Sequence, residues 1–293
     1  MADPRSRRLR DLFARRAATL IPGAFNALTA KMIADAGFEA VYVTGAGVTN
    51  AYLGVPDLGL ITLSELADNV ARMRDVVDLP IVADADTGFG NAVNLTRTVK
   101  VLERAGANGM QLEDQVFPKK CGHFAGKEVI PLAEAVQKVK AATDARSDAD
   151  FVLVARTDAR SVVGFEAAME RAHAFIEAGA DVTFVEAPET LDEIRAIAAL
   201  PVPQVINMVL GGKTPIVEKA DLAAMGYGAV LYANAPLQGA MLAVKRTLEH
   251  LHGHGSTTGL EDQLLPFDER QVAVDKAAYD AIEARYSVPG EER

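Results

Sequence analysis

The sequence predicts a (β/α)8 barrel, the TIM-barrel α/β fold, and three observations lead to that prediction. Short apolar segments alternate with longer segments of helical periodicity along the whole chain. The apolar segments are rich in Val, Ile and Leu without polar alternation, which is typical of parallel strands buried on both faces. Eight such segments fit within 293 residues, a usual length for this fold. An open, doubly wound sheet is the alternative architecture.

The segment after nearly every predicted strand is long enough to form a helix. They are TLIPGAF (19–25), AVYVTG (40–45), LPIVADAD (79–86), GMQLED (109–114), FVLVART (151–157), DVTFVEA (181–187), PQVINM (203–208) and AVLYAN (229–234). In a (β/α)8 barrel the loops that follow the strands gather on one face, and the chemistry of such folds is found there.

Three of the intervening helices carry end signals. Residues 63–78 have Ser64 as a candidate N-cap. Residues 91–106 end on a glycine, and residues 164–180 have a glycine next to their last residue. A glycine is a usual helix terminator because it tolerates the left-handed backbone conformation.

The chain opens with an arginine-rich segment, and residues 1–18 are predicted to form an amphipathic helix. Leu9, Leu12, Phe13 and Ala17 fall at helical spacing, which leaves the arginines in water. No apolar run follows, so the segment is a poor secretory signal. A short organellar transit peptide is the alternative interpretation.

We predict a single domain over residues 1–293, with the barrel at 19–255 and a helical extension at 256–293. Within the extension, residues 264–286 are expected to form one more helix. Its apolar face consists of Val274, Ala277, Ala278 and Ile282. A helix beyond a closed barrel must bury such a face elsewhere, and a partner subunit would provide the surface. We therefore expect a homo-oligomer.

Composition excludes several classes of function. The formal net charge is −10, and no basic patch of the kind that binds nucleic acid is present. No stretch approaches the ~18 consecutive apolar residues of a membrane-spanning helix. The single cysteine cannot form an internal disulfide, which indicates a reducing, cytoplasmic location.

Polar residues collect at the carboxyl ends of the predicted strands. They are Thr44, Asp84, Asp86, Glu113, Asp114, Arg156, Asp158, Glu186, Asn207 and Asn234. Strand ends need some polar residues in any fold, but this requirement explains poorly a series of carboxylates, an arginine and amides. The series predicts a site that binds a small anionic molecule.

Three of these acids predict a metal site. Asp84 and Asp86 are two residues apart on a predicted strand, so their side chains should point the same way, and Glu113 comes from the next strand. All-oxygen ligands suit Mg²⁺, or Mn²⁺, rather than Zn²⁺. Asp57, in the loop after the second strand, is a further acid that would support the ligands or cap a turn. Arg156 can grip a substrate carboxylate with two donors, or pair with Glu113 or Glu186.

The only cysteine lies in a long loop, residues 115–130, between the fourth strand and its helix. Loops of this length often act as active-site lids. A thiol with an ordinary pKa near ~8.5 is mostly protonated at pH 7, so Cys121 can act as a general acid. Lys119 and His123 would tune it or bind anionic groups. A small buried hydrophobe is the alternative role.

Taken together, these residues resemble the isocitrate lyase/phosphoenolpyruvate mutase superfamily over nearly the whole chain. The motifs that carry the resemblance are GVPDLGLITLSEL, VADADTGFGN, QLEDQ, KKCGH, VARTDA and NMVLGGKTP. The resemblance implies a (β/α)8 barrel whose last helix is swapped between subunits of a homotetramer, a dimer of dimers. It also implies Mg²⁺ at the acidic cluster and a mobile gating loop. ANAPLQGAM (233–241) departs from the family pattern and leaves the distal end of the substrate open.

The KKCGH motif places the chain with the carbon–carbon lyases of the superfamily, those of the 2-methylisocitrate and 2,3-dimethylmalate type and the oxaloacetate-cleaving enzymes, because Cys121 matches their catalytic cysteine. We therefore expect Mg²⁺-dependent cleavage of a small 2-hydroxy di- or tricarboxylate to a 2-keto acid and a carboxylate. Tyr42 or a carboxylate would act as the base. The alternatives are a phosphoenolpyruvate or phosphonopyruvate mutase or hydrolase, and an oxaloacetate hydrolase or decarboxylase.

The remaining site residues are expected to hold the substrate. Thr44 and the N–H groups of Gly45 and Ala46, in TGAGVTN (44–50), would receive the 2-carboxylate or carbonyl oxygen. Other substrate contacts would come from the loop and from the later strand ends, with His123, Arg156 and Asn207 holding carboxylates. Those residues are Gly122, His123, Arg156, Glu186 and Asn207.

Overall fold

The computed structural model describes residues 3–120 and 126–287 and contains the eight predicted parallel strands. They are β1 (Thr19–Ala24), β2 (Val41–Val43), β3 (Ile81–Asp84), β4 (Gly109–Glu113), β5 (Val152–Thr157), β6 (Val182–Val185), β7 (Val205–Asn207) and β8 (Ala229–Tyr232). Their order in the sheet is β6-β5-β4-β3-β2-β1-β8-β7, and a parallel bridge between Thr183 and Gln204 joins the two outer strands. The sheet is therefore a nearly closed barrel, and the TIM-barrel prediction is confirmed.

Helices surround the strands and continue beyond the last of them. They are α1 (Pro4–Ala14), α2 (Ala27–Asp35), α3 (Gly45–Val48), α4 (Leu63–Val76), α5 (Ala92–Ala105), α6 (Leu132–Ala145), α7 (Arg160–Val163), α8 (Phe165–Glu177), α9 (Leu191–Ala198), α10 (Lys219–Met225), α11 (Ala235–His254), α12 (Phe267–Ala273) and α13 (Lys276–Tyr286). A π-helical turn at Thr49–Leu53 follows α3 directly.

Alternation along the strands sorts side chains into the barrel interior and the layer beneath the helices. Tyr42, Val82, Val154 and Phe184 belong to one buried cluster that also includes Leu9 of α1. The alternate residues of β2, β4 and β5 (Val41 and Val43, Met110 and Leu112, Leu153 and Ala155) belong to a second cluster with residues of α4, α5 and α6. Helix α1 thus supplies apolar side chains to the barrel interior, which is why its arginines face outward.

Two helix ends show how local sequence sets the boundaries. Thr62, rather than the predicted Ser64, is the N-cap of α4, because its extended backbone lets its hydroxyl accept from the Glu65 N–H while the Glu65 carboxylate accepts from the Thr62 N–H. Helix α5 ends before Gly106, whose φ of 96° satisfies the left-handed cap that the sequence predicted.

The amino-terminal helix is shorter than predicted. It ends at Ala14, and Ala17 lies beyond it and is exposed. Leu9, Leu12 and Phe13 are buried as expected. Among the described residues, no helix is long and apolar enough to cross a membrane.

The chain divides into two compact units, residues 1–237 and residues 238–293. The prediction of a single helix over 264–286 is wrong, because Asp275 takes a left-handed conformation with a φ of 54° and separates α12 from α13. Val274 and Ile282 are exposed, as are many other large apolar side chains of this unit. These are Met241, Leu242, Val244, Leu248, Leu265, Phe267, Val272, Tyr279 and Tyr286. Helix swapping and the oligomeric state remain predictions.

Candidate active site

The carboxyl ends of the strands bring the predicted polar residues to one edge of the barrel. Parallel register places Glu113 of β4 beside Arg156 of β5, and Asp84 of β3 beside Gln111 of β4. These side chains fall at alternate positions of each strand, the same positions that carry the barrel-interior residues lower down. All four are buried. A charged layer therefore lies directly on top of the apolar interior.

Asp84 and Asp86 converge, although not for the reason that the sequence suggested. Strand β3 ends at Asp84, and Asp86 follows it in a left-handed conformation with a φ of 47°. The Asp86 N–H donates to Asp84 Oδ1 at 3.2 Å. Both carboxylates face Gly45, where a Cβ would lie 3.1 Å from an oxygen of each. A tight turn, rather than strand alternation, brings the two acids together, and such strained backbone is common at functional sites.

Lys119 lies within this acidic cluster. Its Nζ is 2.5 Å from Asp57 Oδ1 and 2.9 Å from Asp86 Oδ1, and all three side chains are buried. Burial raises the pKa of Asp86, Lys119 partly offsets that effect, and the charges of Asp84 and Asp57 raise the pKa further, to about 7. Asp57 is therefore linked to the cluster through a buried lysine.

The chemistry of the cluster fits a divalent cation. Among the described residues, seven carboxylates are buried at this edge (Asp57, Asp84, Asp86, Glu113, Asp114, Asp158 and Glu186) with five buried cations in and beside it (Lys119, Lys127, Lys138, Arg156 and Arg171), so negative charges exceed positive charges by two when all are ionised. Glu113 Oε1 is buried without a hydrogen-bond partner among the described residues, and burial raises the pKa of Glu113 well above its usual value. Within residues 3–120 and 126–287, no group of three or more His, Cys, Asp and Glu side chains is arranged so that it could hold a metal ion, so the metal site stays a prediction. Asp84, Asp86 and Glu113 supply the oxygen donors that Mg²⁺ prefers.

Arg156 is held by a carboxylate on one edge of its guanidinium group. Its Nε donates to Asp158 Oδ2 at 2.9 Å, and its Nη2 donates to Asp158 Oδ1 at 3.0 Å. Glu113 and Glu186 approach it at 3.5 and 3.7 Å, and its Cζ lies 5.2 Å from the ring centre of Phe184. Burial opposes the charge, but these carboxylates keep the pKa of Arg156 above its usual value. Nη1 makes no hydrogen bond among the described residues and faces Glu186 Oε2 at 3.7 Å.

Asp158 also binds a lysine that sequence reasoning missed. Lys127 Nζ lies 2.6 Å from Asp158 Oδ1, and the two side chains are almost completely buried. Burial alone would raise the pKa of Asp158, but Arg156 and Lys127 lower it to about 2. Lys127 gave no signal in the sequence, because an isolated lysine in a polar loop is usually solvated. Gln111, which donates to Asp84 Oδ1 at 3.3 Å, was missed because it lies inside an apolar run.

The remaining predicted substrate contacts lie on the same edge. The Thr44 hydroxyl donates to Asn234 Oδ1 at 3.1 Å and accepts from the Gly47 N–H. The Gly45 N–H points at Asp84 Oδ2, 3.3 Å away, so its predicted contact with substrate, like that of Ala46, stays a prediction. Asn207 Oδ1 is buried without a hydrogen-bond partner among the described residues.

Tyr42 lies in the barrel interior beneath the acidic cluster. Burial, and then the charge of Asp84, raises the pKa of its phenol well above its usual value. Whether Tyr42 or a carboxylate acts as the base stays a prediction.

Cys121, Gly122 and His123 lie outside the described residues, so their predicted roles are not tested by the geometry. The chain on either side of them is described. The backbone of Gln115 bridges Val129, and the Val116 N–H donates to the Glu128 carbonyl at 2.9 Å. Both ends of the loop are thus joined by a short antiparallel pairing.

A cavity of about 650 Å³ lies beside this edge rather than in it. It is lined by the first turn of α4, by residues of α5 from Asn94 to Val101, by Phe89 and Phe117, and by Lys138 of α6, whose Nζ donates to the Thr87 carbonyl. Among the residues that the structure describes, its lining includes none of the predicted site residues.

A parallel eight-stranded barrel with buried acids, an arginine and amides at its carboxyl-end edge defines a TIM-barrel enzyme. The family described as phosphoenolpyruvate phosphomutase matches residues 9–252. The chain is 43% identical to 2,3-dimethylmalate lyase of Eubacterium barkeri over 89% of this chain and 91% of that protein. It is 42% identical to 2-methylisocitrate lyase of Aeropyrum pernix over 97% and 92%.

Solved structures also match the fold of this chain. Oxaloacetate acetylhydrolase in complex with the inhibitor 3,3-difluorooxalacetate superposes with a TM-score of 0.89 at 33% identity, covering 97% of this chain and 98% of that one. The chain belongs to the phosphoenolpyruvate mutase/isocitrate lyase superfamily. The family resemblance seen in the sequence motifs is confirmed.

Proposed function

We propose that this enzyme cleaves a carbon–carbon bond of a small 2-hydroxy di- or tricarboxylate in a Mg²⁺-dependent reaction. The products would be a 2-keto acid such as pyruvate and a second carboxylate. The observation that carries the proposal is the surplus of buried carboxylates beside an arginine whose Nε and Nη2 are bound by Asp158, while its Nη1 makes no hydrogen bond among the described residues. One part of the edge can hold a cation, and the other can hold the anionic end of a substrate.

The metal site would consist of Asp84, Asp86 and Glu113. Mg²⁺, with Mn²⁺ as a substitute, lowers the pKa of a bound substrate hydroxyl and stabilises negative charge on its oxygen when present there. Lys119 keeps Asp57 and Asp86 close together. Its ammonium group also offsets part of the negative charge, so the edge can stay ionised.

Substrate recognition would depend on Arg156, whose guanidinium presents its Nη1 side while Asp158 holds the Nε side. An arginine fork fixes the plane of a carboxylate as well as its position. Thr44, Asn207 and Glu186 line the same edge and would contact hydroxyl and carboxyl groups of the substrate.

Proton transfer would use the loop between β4 and α6. Cleavage leaves negative charge on the departing carbon, and an acid must protonate it. The Cys121 thiol is our candidate, with Lys119, Gly122 and His123 placing or tuning it. The ion pair of Lys119 with Asp57 supports a position of this segment close to the proposed reaction site.

We also propose that the enzyme works as a homotetramer. The support is the large number of exposed apolar side chains on α11, α12 and α13, of which Phe267, Val272 and Tyr286 are each more than two-thirds exposed. Apolar surface of this extent usually marks an interface.

The first experiment is a product assay on the purified protein, with Mg²⁺ and with chelator, read by mass spectrometry. The substrates are 2-methylisocitrate, 2,3-dimethylmalate, oxaloacetate and phosphonopyruvate. Chelator-sensitive cleavage of one of the first two supports the proposal. Turnover of oxaloacetate alone would make the enzyme a hydrolase or decarboxylase, and turnover of phosphonopyruvate alone would refute carbon–carbon cleavage.

The role of Cys121 has its own test in the variants Cys121→Ala and Cys121→Ser. Both should lower kcat by ~10²- to 10⁴-fold, because the general acid is lost or is too weak. Both should keep the increase in Tm that Mg²⁺ gives the wild type, because the predicted metal ligands are unchanged. Near-normal turnover by either variant would contradict the general-acid role.

A further inference from the structure

Lys127 and Asp158 form a buried ion pair directly behind the arginine. Their charged atoms are 2.6 Å apart, and the Lys127 and Asp158 side chains are 2% and 0% exposed. The carboxylate is shared, because the same Oδ1 that binds Lys127 also accepts from Arg156 Nη2 at 3.0 Å. One rigid group therefore connects the lysine to the arginine.

Hydrogen bonds hold the backbone of Asp158, and Lys127 lies next to a paired segment. The Asp158 N–H donates to Asp114 Oδ1 at 2.9 Å, and Asp114 in turn accepts from Arg171. Lys127 directly precedes the antiparallel pairing that joins residues 115–116 to residues 128–129. Asp158 is therefore held by its backbone as well as by its two cations.

Arg156 needs such a fixed partner because other carboxylates compete for it. Glu113 Oε2 and Glu186 Oε2 lie 3.5 and 3.7 Å from its guanidinium nitrogens. With its Nε edge bound to Asp158, the guanidinium has one orientation, and its Nη1 side is directed away from Asp158. Without the charge of Lys127, Asp158 would keep only Arg156 as a cationic partner among the described residues. The buried edge would then carry one more unit of negative charge.

We propose that Lys127 is a positioning residue that acts through Asp158 to fix the guanidinium of Arg156 for a substrate carboxylate. This inference rests on the proposed function, since that function assigns Arg156 to the substrate. It adds a specific role for the carboxyl-terminal end of the β4–α6 loop. Anion binding should depend on Lys127, whereas cation binding at Asp84, Asp86 and Glu113 should not.

The experiment measures binding rather than turnover, by isothermal titration calorimetry. Mg²⁺ is titrated first, and oxalate is then titrated at saturating Mg²⁺. In Lys127→Met, oxalate should bind ~10- to 100-fold more weakly, the size of effect seen when a partner behind a binding group is removed. The Kd for Mg²⁺ should stay within about threefold, because an added negative charge does not oppose a cation.

Lys138→Met is the matched control. Lys138 is as buried as Lys127, and its ammonium group donates to the Thr87 carbonyl. No ion pair joins it to Asp158 or Arg156 within residues 3–120 and 126–287. Its variant should bind oxalate like the wild type. Equal weakening in both lysine variants would show a general effect of lost positive charge and would refute the proposal.

If Lys127→Met alone folds poorly, the inference can still be tested by comparing Asp158→Asn with a double variant. The double variant Lys127→Met with Asp158→Asn removes both charges of the pair and leaves no uncompensated carboxylate. If the pair acts as a unit, adding Lys127→Met to Asp158→Asn should change oxalate affinity little. Additive losses would overturn the inference.

A crystal structure of whichever Lys127 variant folds separates this inference from the proposed function. A displaced Arg156 guanidinium supports the positioning role even if the wild type fails to bind Mg²⁺ and oxalate, which would refute the proposed function instead. An unmoved Arg156 refutes the positioning role whatever the binding results.

Discussion

The two ends of the barrel use the same charged residue types in opposite ways. At the amino-terminal end, Arg8 and Arg10 of α1 bind Asp78 and Asp181, which precede β3 and β6. The Arg8–Asp78 pair is exposed, with Asp78 80% exposed, whereas Asp181 is 15% exposed. At the carboxyl end, Lys119, Lys127 and Arg156 bind acids that are less than 10% exposed, and the acids are in excess.

The difference shows which end is built for stability and which for chemistry. Exposed pairs contribute only ~0–1 kcal/mol each and are easily replaced by water. Buried carboxylates in excess cost stability unless a cation joins them. Stability should therefore respond mainly to the apolar residues of α1, and activity to the charges at the carboxyl end. Three predictions test that division.

The largest effect is expected at Asp86. Asp86→Asn keeps the shape of the side chain and tolerates the left-handed backbone, but it removes a metal-ligand charge. Turnover should fall ~10³-fold, because a metal ion supplies several kcal/mol of transition-state stabilisation. Without Mg²⁺ the free energy of unfolding should change by less than ~1 kcal/mol, because Lys119 keeps the carboxylate of Asp57 as a partner at 2.5 Å. Kinetics and urea unfolding measure the two quantities.

The Mg²⁺ dependence of Tm provides the control for Asp86→Asn. Excess Mg²⁺ should raise the Tm of the wild type, because a ligand that binds only the folded state stabilises it, and should leave the variant unchanged. A variant that kept both turnover and the Tm increase would remove Asp86 from the metal site.

The second effect is expected at Leu9, which is fully buried in the barrel interior. Leu9→Ala should lower the free energy of unfolding by ~2–5 kcal/mol through lost burial and a cavity. Its kcat/KM should match the wild type at temperatures where the protein stays folded. The measurements are urea denaturation and steady-state kinetics on the same preparation. A large kinetic loss with stability intact would break the division between the two ends.

The smallest effect is expected at Asp78. Asp78→Ala removes the partner of Arg8 and Arg5 at the surface, so stability should fall by ~0–1 kcal/mol. The difference should shrink in about 0.5 M salt, since exposed charges are screened. Urea unfolding at low and high salt is the test. A loss above ~2 kcal/mol would mean that this pair is not an ordinary surface pair.

The sequence predicted the barrel because each strand carries a dense apolar run between helices with clear caps. It predicted the acids, Arg156 and the amides because they stand at strand ends, and a barrel gathers all strand ends on one face. Strand alternation correctly predicted that the side chains of Asp84 and Asp86 lie together, but for a different reason. The tight turn that brings them together was therefore not predictable from the sequence.

Other features depend on contacts that no local pattern encodes. The Lys127–Asp158 pair joins residues 31 positions apart, and the lysine lies in a loop where charge is ordinary. The break between α12 and α13 depends on a left-handed aspartate, which a helical periodicity hides. Thr62 and Ser64 are both good N-cap types, and only the capping box with Glu65 decides between them.

Gly45 has a consequence for protein engineering. A Cβ there would lie 3.1 Å from oxygens of Asp84 and Asp86, although the backbone of Gly45 itself is ordinary. Gly37 is the reverse case, with open space around it and a φ of 83°. A directed-evolution library should leave both positions fixed for unrelated reasons: Gly45 because its missing side chain is part of the acidic cluster's geometry, Gly37 because only its backbone requires glycine. Variation aimed at new substrates belongs farther along the rim.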